Sequence, residues 1–248
     1  MRLGGASGAL AVAFICLAGR GAAQEPIFVT PPVTMYQFGA VGGVEVERRS
    51  GTVAVSSEAA FGVLAPWTVS LHAVGIDARG EPAQLARLHV GTRVRLVKVD
   101  RPREWLLLSV YGAAALPLGD KADAVAEAHS VPAAVVGVSA TRMARRGDAF
   151  ANLSLARIPT PTGTVTGGTL GLAAGWRPRP GRYGALEAQL FAEALGNYVE
   201  GGSASVGLAP GLLVHSRNVV VKAGILVPVW TRRSGDDLVL RFGAKLLY

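Results

Sequence analysis

Charged and hydroxyl side chains fall on alternate positions in several stretches of this chain, and that spacing decides what chemistry they could do. In "LARLHVGTRVRLV", Arg87, His89, Arg93 and Arg95 take one set of alternating positions, and Leu88, Val90, Val94 and Leu96 take the other. In "ALEAQLFAEAL", Glu187, Gln189 and Glu193 alternate with Leu186, Ala188, Leu190, Ala192 and Ala194. Ser109 and Tyr111, Lys222, Arg241 and Lys245 sit in similar runs, as do Gln37, Glu45, Glu47, Glu58, Ser70 and His72. A period of two places each set on one face of a strand. Their chemistry would be collective: a wall carrying both signs, able to select small anions or polarised aromatic compounds, or to pair across an interior and fill it.

Catalysis needs a nucleophile within reach of a base. His72, His89, His129 and His215, with Ser70, Ser130 and Ser216 nearby, offer the material of a lipase or deacylase of the outer membrane. No G-x-S-x-G, H-E-x-x-H or paired-acid signature accompanies them, and Asn152-Leu-Ser154 reads as a strand fragment. The four histidines have no ligand spacing, so no metal, cofactor or catalytic residue is expected and the chain is not read as an enzyme. "TPTGTVTGG" reads as an outer loop rather than a phosphate cradle, because no lysine follows. The three arginines of "GVSATRMARRGD" read as a turn near anionic headgroups.

Positioning such walls requires strands, and the composition restricts what kind. The 248 residues are 50% hydrophobic and 17% charged, with 32 glycines. The one long apolar run is N-terminal: Arg2, an apolar stretch from Ala9 to Ala18, then small residues up to Ala23. This is the layout of a cleaved signal peptide, residues 1–23, and implies export through an inner membrane. The single cysteine, Cys16, lies within it, so the exported chain carries no disulfide. Removing Arg2 and Arg20 leaves 23 basic residues against 17 acidic, about +6. The charges are dispersed singly and no recognition motif is present, so nucleic acid is not an expected partner.

Turn signals such as "RSG", "DARGEP", "DRPRE", "ARRGDA" (144–149), "RPRPGR" (177–182) and "RRSGDD" divide residues 24–248 into twelve strand-like segments. They run 35–48, 51–63, 67–76, 84–99, 104–118, 131–143, 148–158, 165–177, 183–195, 203–215, 218–230 and 237–248. A soluble sandwich would cover its second face with Lys, Glu, Asp and Thr. Here that face is rich in Gly, Ala and Ser with isolated charges, and the apolar face continues for about ten residues per strand, the length of a tilted bilayer crossing. The expected fold is therefore all-β: a transmembrane, antiparallel, up-and-down barrel of about twelve strands. The connections after even-numbered strands are short, and the longest, "GDKADAVAEAHSVP", falls on the outer side as a loop. Tyr36, Trp67, Trp105, Trp176, Tyr183, Trp230 and Tyr248 near strand ends suit the two membrane interfaces.

The tail "RFGAKLLY", with Gly243, Leu246 and the terminal Tyr248, resembles the C-terminal signal that the barrel assembly machinery reads in bacterial outer-membrane proteins. Over most of the chain, "QFGAVGGVEVER", "SSEAAFGVLAPWTVSLHAVG" and "YGAAALPLGD" resemble the outer-membrane family associated with the meta-pathway of phenol degradation. That resemblance implies a porin-like barrel in the outer membrane of a Gram-negative bacterium, with outer-membrane lipids and the assembly machinery as partners. It also implies passive transport of small, aromatic or hydrophobic compounds. The lumen-lining set on this reading is Arg87, His89, Arg93, Arg95, Tyr111, Glu187, Gln189, Glu193, Lys222 and Arg241. The alternatives are a closed structural barrel and an outer-membrane lipid-modifying enzyme.

Overall fold

The computed structural model describes residues 38–49, 52–78, 83–102, 104–116, 118–128, 131–160, 162–178, 186–216, 218–232 and 238–247. The expected signal peptide, Gln37, His129, Ser130 and Tyr248 lie outside them.

Twelve strands follow one another: β1 (Ala40–Arg49), β2 (Thr52–Leu64), β3 (Trp67–Ala78), β4 (Gln84–Arg101), β5 (Glu104–Leu116), β6 (Ala134–Ala144), β7 (Gly147–Thr160), β8 (Gly163–Trp176), β9 (Glu187–Val199), β10 (Ser203–His215), β11 (Val219–Arg232) and β12 (Val239–Leu247). Each pairs antiparallel with its sequence neighbours, and β12 pairs with β1, from Val41 opposite Leu247 to Arg48 opposite Leu240, to close the barrel. Closure satisfies the backbone of every strand without leaving an edge. The up-and-down barrel expected from the alternation is the fold observed. The ends of β1 and β12 share one rim with the turns after β2, β4, β6, β8 and β10, here the terminal rim; the opposite rim is the mouth.

The alternation that defines the strands also sorts their faces. Val44, Val55, Leu71, Val90, Val136, Leu153, Leu170, Leu190, Leu208, Val221 and Phe242 point outward and are all more than a third exposed. A continuous apolar belt around a whole barrel far exceeds the few hundred Å² that a soluble surface carries. Ten residues at about 3.3 Å each, tilted by about 45°, span roughly 23 Å, close to the apolar band of a membrane barrel.

Two segments depart from expectation. Within "GDKADAVAEAHSVP", residues 120–128 form a helix, α1 (Asp120–Ala128), rather than a loop. Ala, Glu and Lys are strong helix formers, and Asp120 and Asp123 in the first turn complement the helix dipole. "TPTGTVTGG" is mostly strand instead of outer loop: Pro159 pairs with Thr164 and Thr160 with Gly163. Its β-branched residues favour extended backbone, and Gly163, at φ 136°, takes up the turn.

Candidate functional site

Twelve strands enclose more space than eight, which side chains fill, and less than sixteen, which leave a channel. What the inward side chains do therefore decides the character of the interior.

Along the seam where the barrel closes, the two strands at one side are acidic and the two at the other are basic. Lys222 of β11 lies 2.5 Å from Glu45 of β1, passing over β12 at Gly243. Lys245 of β12 reaches Glu58 of β2 at 3.1 Å, passing over β1 at Gly43. Arg241 of β12 meets its direct neighbour Glu47 at 2.5 Å. The glycines leave room for the crossings. A Cβ on Gly243 would sit 2.9 Å from Cε of Lys222, and one on Gly43 would sit 2.7 Å from Cγ of Lys245.

The same device recurs elsewhere. Tyr111 of β5 lies across Gly137 of β6, and its hydroxyl accepts a 2.6 Å hydrogen bond from Nδ2 of Asn152 on β7. A Cβ on Gly137 would lie 2.5 Å from that ring and 2.7 Å from the carbonyl oxygen of Leu153. Arg93 stacks on the other side of this group, 5.4 Å from the Tyr111 centroid. Gln189 of β9 crosses Gly175 of β8 to donate to Asp148 of β7 at 2.8 Å.

Gln189 belongs to a buried polar cluster at the terminal rim. Arg177 pairs with Asp148 and lies 2.8 Å from Glu187, which is 3.6 Å from His215. Asp148 and Arg177 are 5% exposed and Gln189 is fully buried, so the penalty for burying charge is met by pairing. Beside the cluster, inward-facing Met143, Phe150, Ala173, Phe191, Leu213, Val220 and Leu247 form one apolar cluster from β6 round to β12, with Val41 of β1 against it.

At the mouth, α1 folds onto the inner wall of β3 and β4. Ala126 is buried with Ile76 and Ala86, and Val74, Val125 and Val131 pack around them. Ala86 is the extra residue of a bulge, since Val74 pairs with Arg87 and Gly75 with Leu85. Arg87 pairs with Asp123 of the helix. Nε2 of His89 lies 2.8 Å from the carbonyl of Pro132, and its ring stands 6.0 Å from that of His72.

The ten residues of the expected lumen set all lie on inward-facing register positions, but they do not form one site. Arg87 pairs with the helix, His89 meets the carbonyl of Pro132 beyond it, Arg93 joins Tyr111, Glu187 and Gln189 join the rim cluster, Lys222 and Arg241 close the seam, Glu193 is 3% exposed, and Arg95 stands beside the start of β3. Gly243 faces inward on β12 and Leu246 outward. The turn signals cover Asp148 and Arg177, and the long connection covers Asp123, so none of the three stands out in the sequence. Their partners are distant along the chain, and only the register of the strands brings them together.

On the outer side of the terminal rim, Arg101 and Arg142 both donate to Glu104, each at 2.9 Å.

No protein-family model matches the chain, and no curated protein matches it. Among solved structures it is similar to the outer membrane protein OmpT of Vibrio cholerae in its trimer form, at 7% identity and a TM-score of 0.34, over 85% of this chain and 98% of that one. It is similar to a bacterial polysaccharide outer membrane secretin at 8% and 0.40, over 87% and 100%. It is also similar to OprB of Pseudomonas putida at 7% and 0.32, over 85% and 91%. The likeness to the phenol-degradation family rests on the quoted sequence segments alone.

Proposed function

We propose that the protein is a bacterial outer-membrane barrel, with its terminal rim toward the periplasm, that passes small compounds through a narrow off-centre passage without catalysing a reaction. The reading rests on the uneven filling of the interior. From β7 to β11 the inward side chains at the terminal half are closed off from water: Phe150, Phe191 and Leu213 are 4% exposed or less. From β1 to β5, Glu47, Ser56, Glu58, Ser70, His72, Arg93, Arg95 and Tyr111 keep partial exposure. A wet strip with carboxylates on one wall and guanidinium groups on the other favours small polar or polarised solutes. Aromatic compounds among them are suggested by the family resemblance, not by the geometry.

A second reading, a closed structural barrel, draws on the apolar cluster that spans the interior from β6 to β1. Conductance in planar bilayers separates the two. Discrete, small steps from folded protein support the passage, and silent bilayers from protein that still migrates as a folded barrel before boiling support the closed barrel. Substituting Arg93 or Arg95 should alter the ion selectivity of any conductance if they line the passage.

A further inference from the structure

We propose that the cleft on the terminal rim, between the β4–β5 hairpin and the β6–β7 turn, binds the phosphate headgroup of an anionic phospholipid. The cleft is open to the outside, has a volume of about 590 Å³ and is lined by Glu104, Arg142, Ala144, Arg145, Arg146 and residues 147–149. Arg101 stands at its edge through Glu104. Arg101 and Arg142 already satisfy the half-buried carboxylate of Glu104, and Arg145 and Arg146 line the cleft beside it. Arg145 and Arg146 are exposed and ion-pair with no carboxylate among the described residues. Guanidinium forks match phosphate oxygens in pairs, which suits them to a headgroup better than a single ammonium would.

The turn that carries Arg145 and Arg146 is held from behind. Arg177 donates from its side chain to the carbonyls of Ala144 and Arg145, at 2.7 and 3.3 Å, and from its backbone N–H to that of Arg146, at 2.9 Å. Asp148 accepts the N–H of Ala144 at 3.2 Å. With the carbonyls drawn toward buried Arg177, the turn is set before any ligand arrives, which lowers the ordering cost of binding.

Depth selects the source of the phosphate. Glu104 and Arg142 occupy lipid-facing positions, since Leu106 pairs with Arg142 and Glu104 with Ala144. Trp67 and Trp176 face outward at this same rim, 39% and 55% exposed, the usual depth of indoles at a headgroup layer. The cleft therefore opens at the membrane interface. The proposal rests on the membrane-spanning reading, which migration of unboiled protein on a gel tests separately.

The test is native mass spectrometry of the intact protein in detergent with phosphatidylglycerol or phosphatidylcholine at equal concentration. Preferential retention of phosphatidylglycerol is expected. That preference should fall about fivefold for each of Arg142, Arg145 and Arg146 changed to Gln, while Arg157→Gln with Arg232→Gln at the mouth leaves it intact. Equal retention of the two lipids, or an equal loss in the mouth variant, would overturn the site. Complete displacement by millimolar inorganic phosphate would overturn the lipid as its ligand. Should the Arg142 variant misfold, Arg145→Gln, at an exposed position, carries the same comparison.

Discussion

Lys222 on β11 and Glu45 on β1 meet at 2.5 Å across the whole width of β12. Register makes the contact possible: Lys222, Gly243 and Glu45 stand in one row, as do Lys245, Gly43 and Glu58. The last strands contribute the cations and the first strands the carboxylates, so the pairs form only when the chain's two ends come together correctly. A one-residue slip would turn the cations toward lipid.

Breaking one seam pair should therefore be worse than removing it. Lys222 is 6% exposed and loses its partner in Glu45→Gln, which should cost about 3 kcal/mol, the low end for a broken buried pair because Glu45 keeps some water contact. Lys222→Met with Glu45→Gln should recover most of that loss, and the exchange of the two charges should restore folding better than either single reversal. Urea unfolding in lipid bicelles reads each step. Additive single and double losses would show that the pair is not coupled.

The glycines that let side chains cross a strand should be more sensitive to alanine than those that face lipid. A Cβ on Gly137 would meet both the Tyr111 ring and a backbone oxygen that cannot move aside. Gly137→Ala should cost about 1–3 kcal/mol, the range for overpacking. Gly42 faces outward, and a Cβ added there would meet nothing within 4 Å, so Gly42→Ala should stay near neutral. Unfolding midpoints compared in the same bicelles check the contrast, and equal effects would remove the crossing argument.

The strands are legible in the sequence because period-two alternation is a local signal, and twelve alternating runs are there to be counted. The inward set is legible for the same reason: once Leu88 is placed outward, Arg87 and His89 must point in. Partners are not. Nothing near Lys222 in the sequence names Glu45, and Gly243 reads there as part of an assembly signal, with no sign that Lys222 crosses it. Arg177 and Asp148 are hidden by the Pro and Gly around them, which read as turns and do not reveal that two turn-end side chains are buried against each other. The helix is masked by its place in a long connection, although "DKADAVAEA" is rich in helix formers.

Helix α1 should behave as a latch on the mouth if the passage conducts. Arg87 is 8% exposed and its partner Asp123 is 41% exposed, so the pair lies at the boundary between the lumen and water. Asp123→Asn removes the charge while keeping the shape, and the apolar contacts of Ala126 with Ile76 and Ala86 remain. Single-channel records of this variant should show more frequent transitions to a larger conductance than the parent, with fold unchanged by gel migration. Identical records would mean that the helix does not limit flow.

Phe150 and Phe191 decide how far the interior is sealed at the terminal half. Their rings stand 6.1 Å apart at 51°, within the range of favourable tilted pairs, and both are nearly inaccessible. Phe191→Ala should cost about 3–5 kcal/mol, as for a buried aromatic, and opens space beside Gly175, where an added Cβ would lie 2.8 Å from the Phe191 ring. If flow runs only along β1 to β5, conductance should change little, because this side is not the path. A closed parent that begins to conduct on Phe191→Ala would instead identify the apolar cluster as the plug. Current–voltage curves of parent and variant at equal protein insertion distinguish the two outcomes.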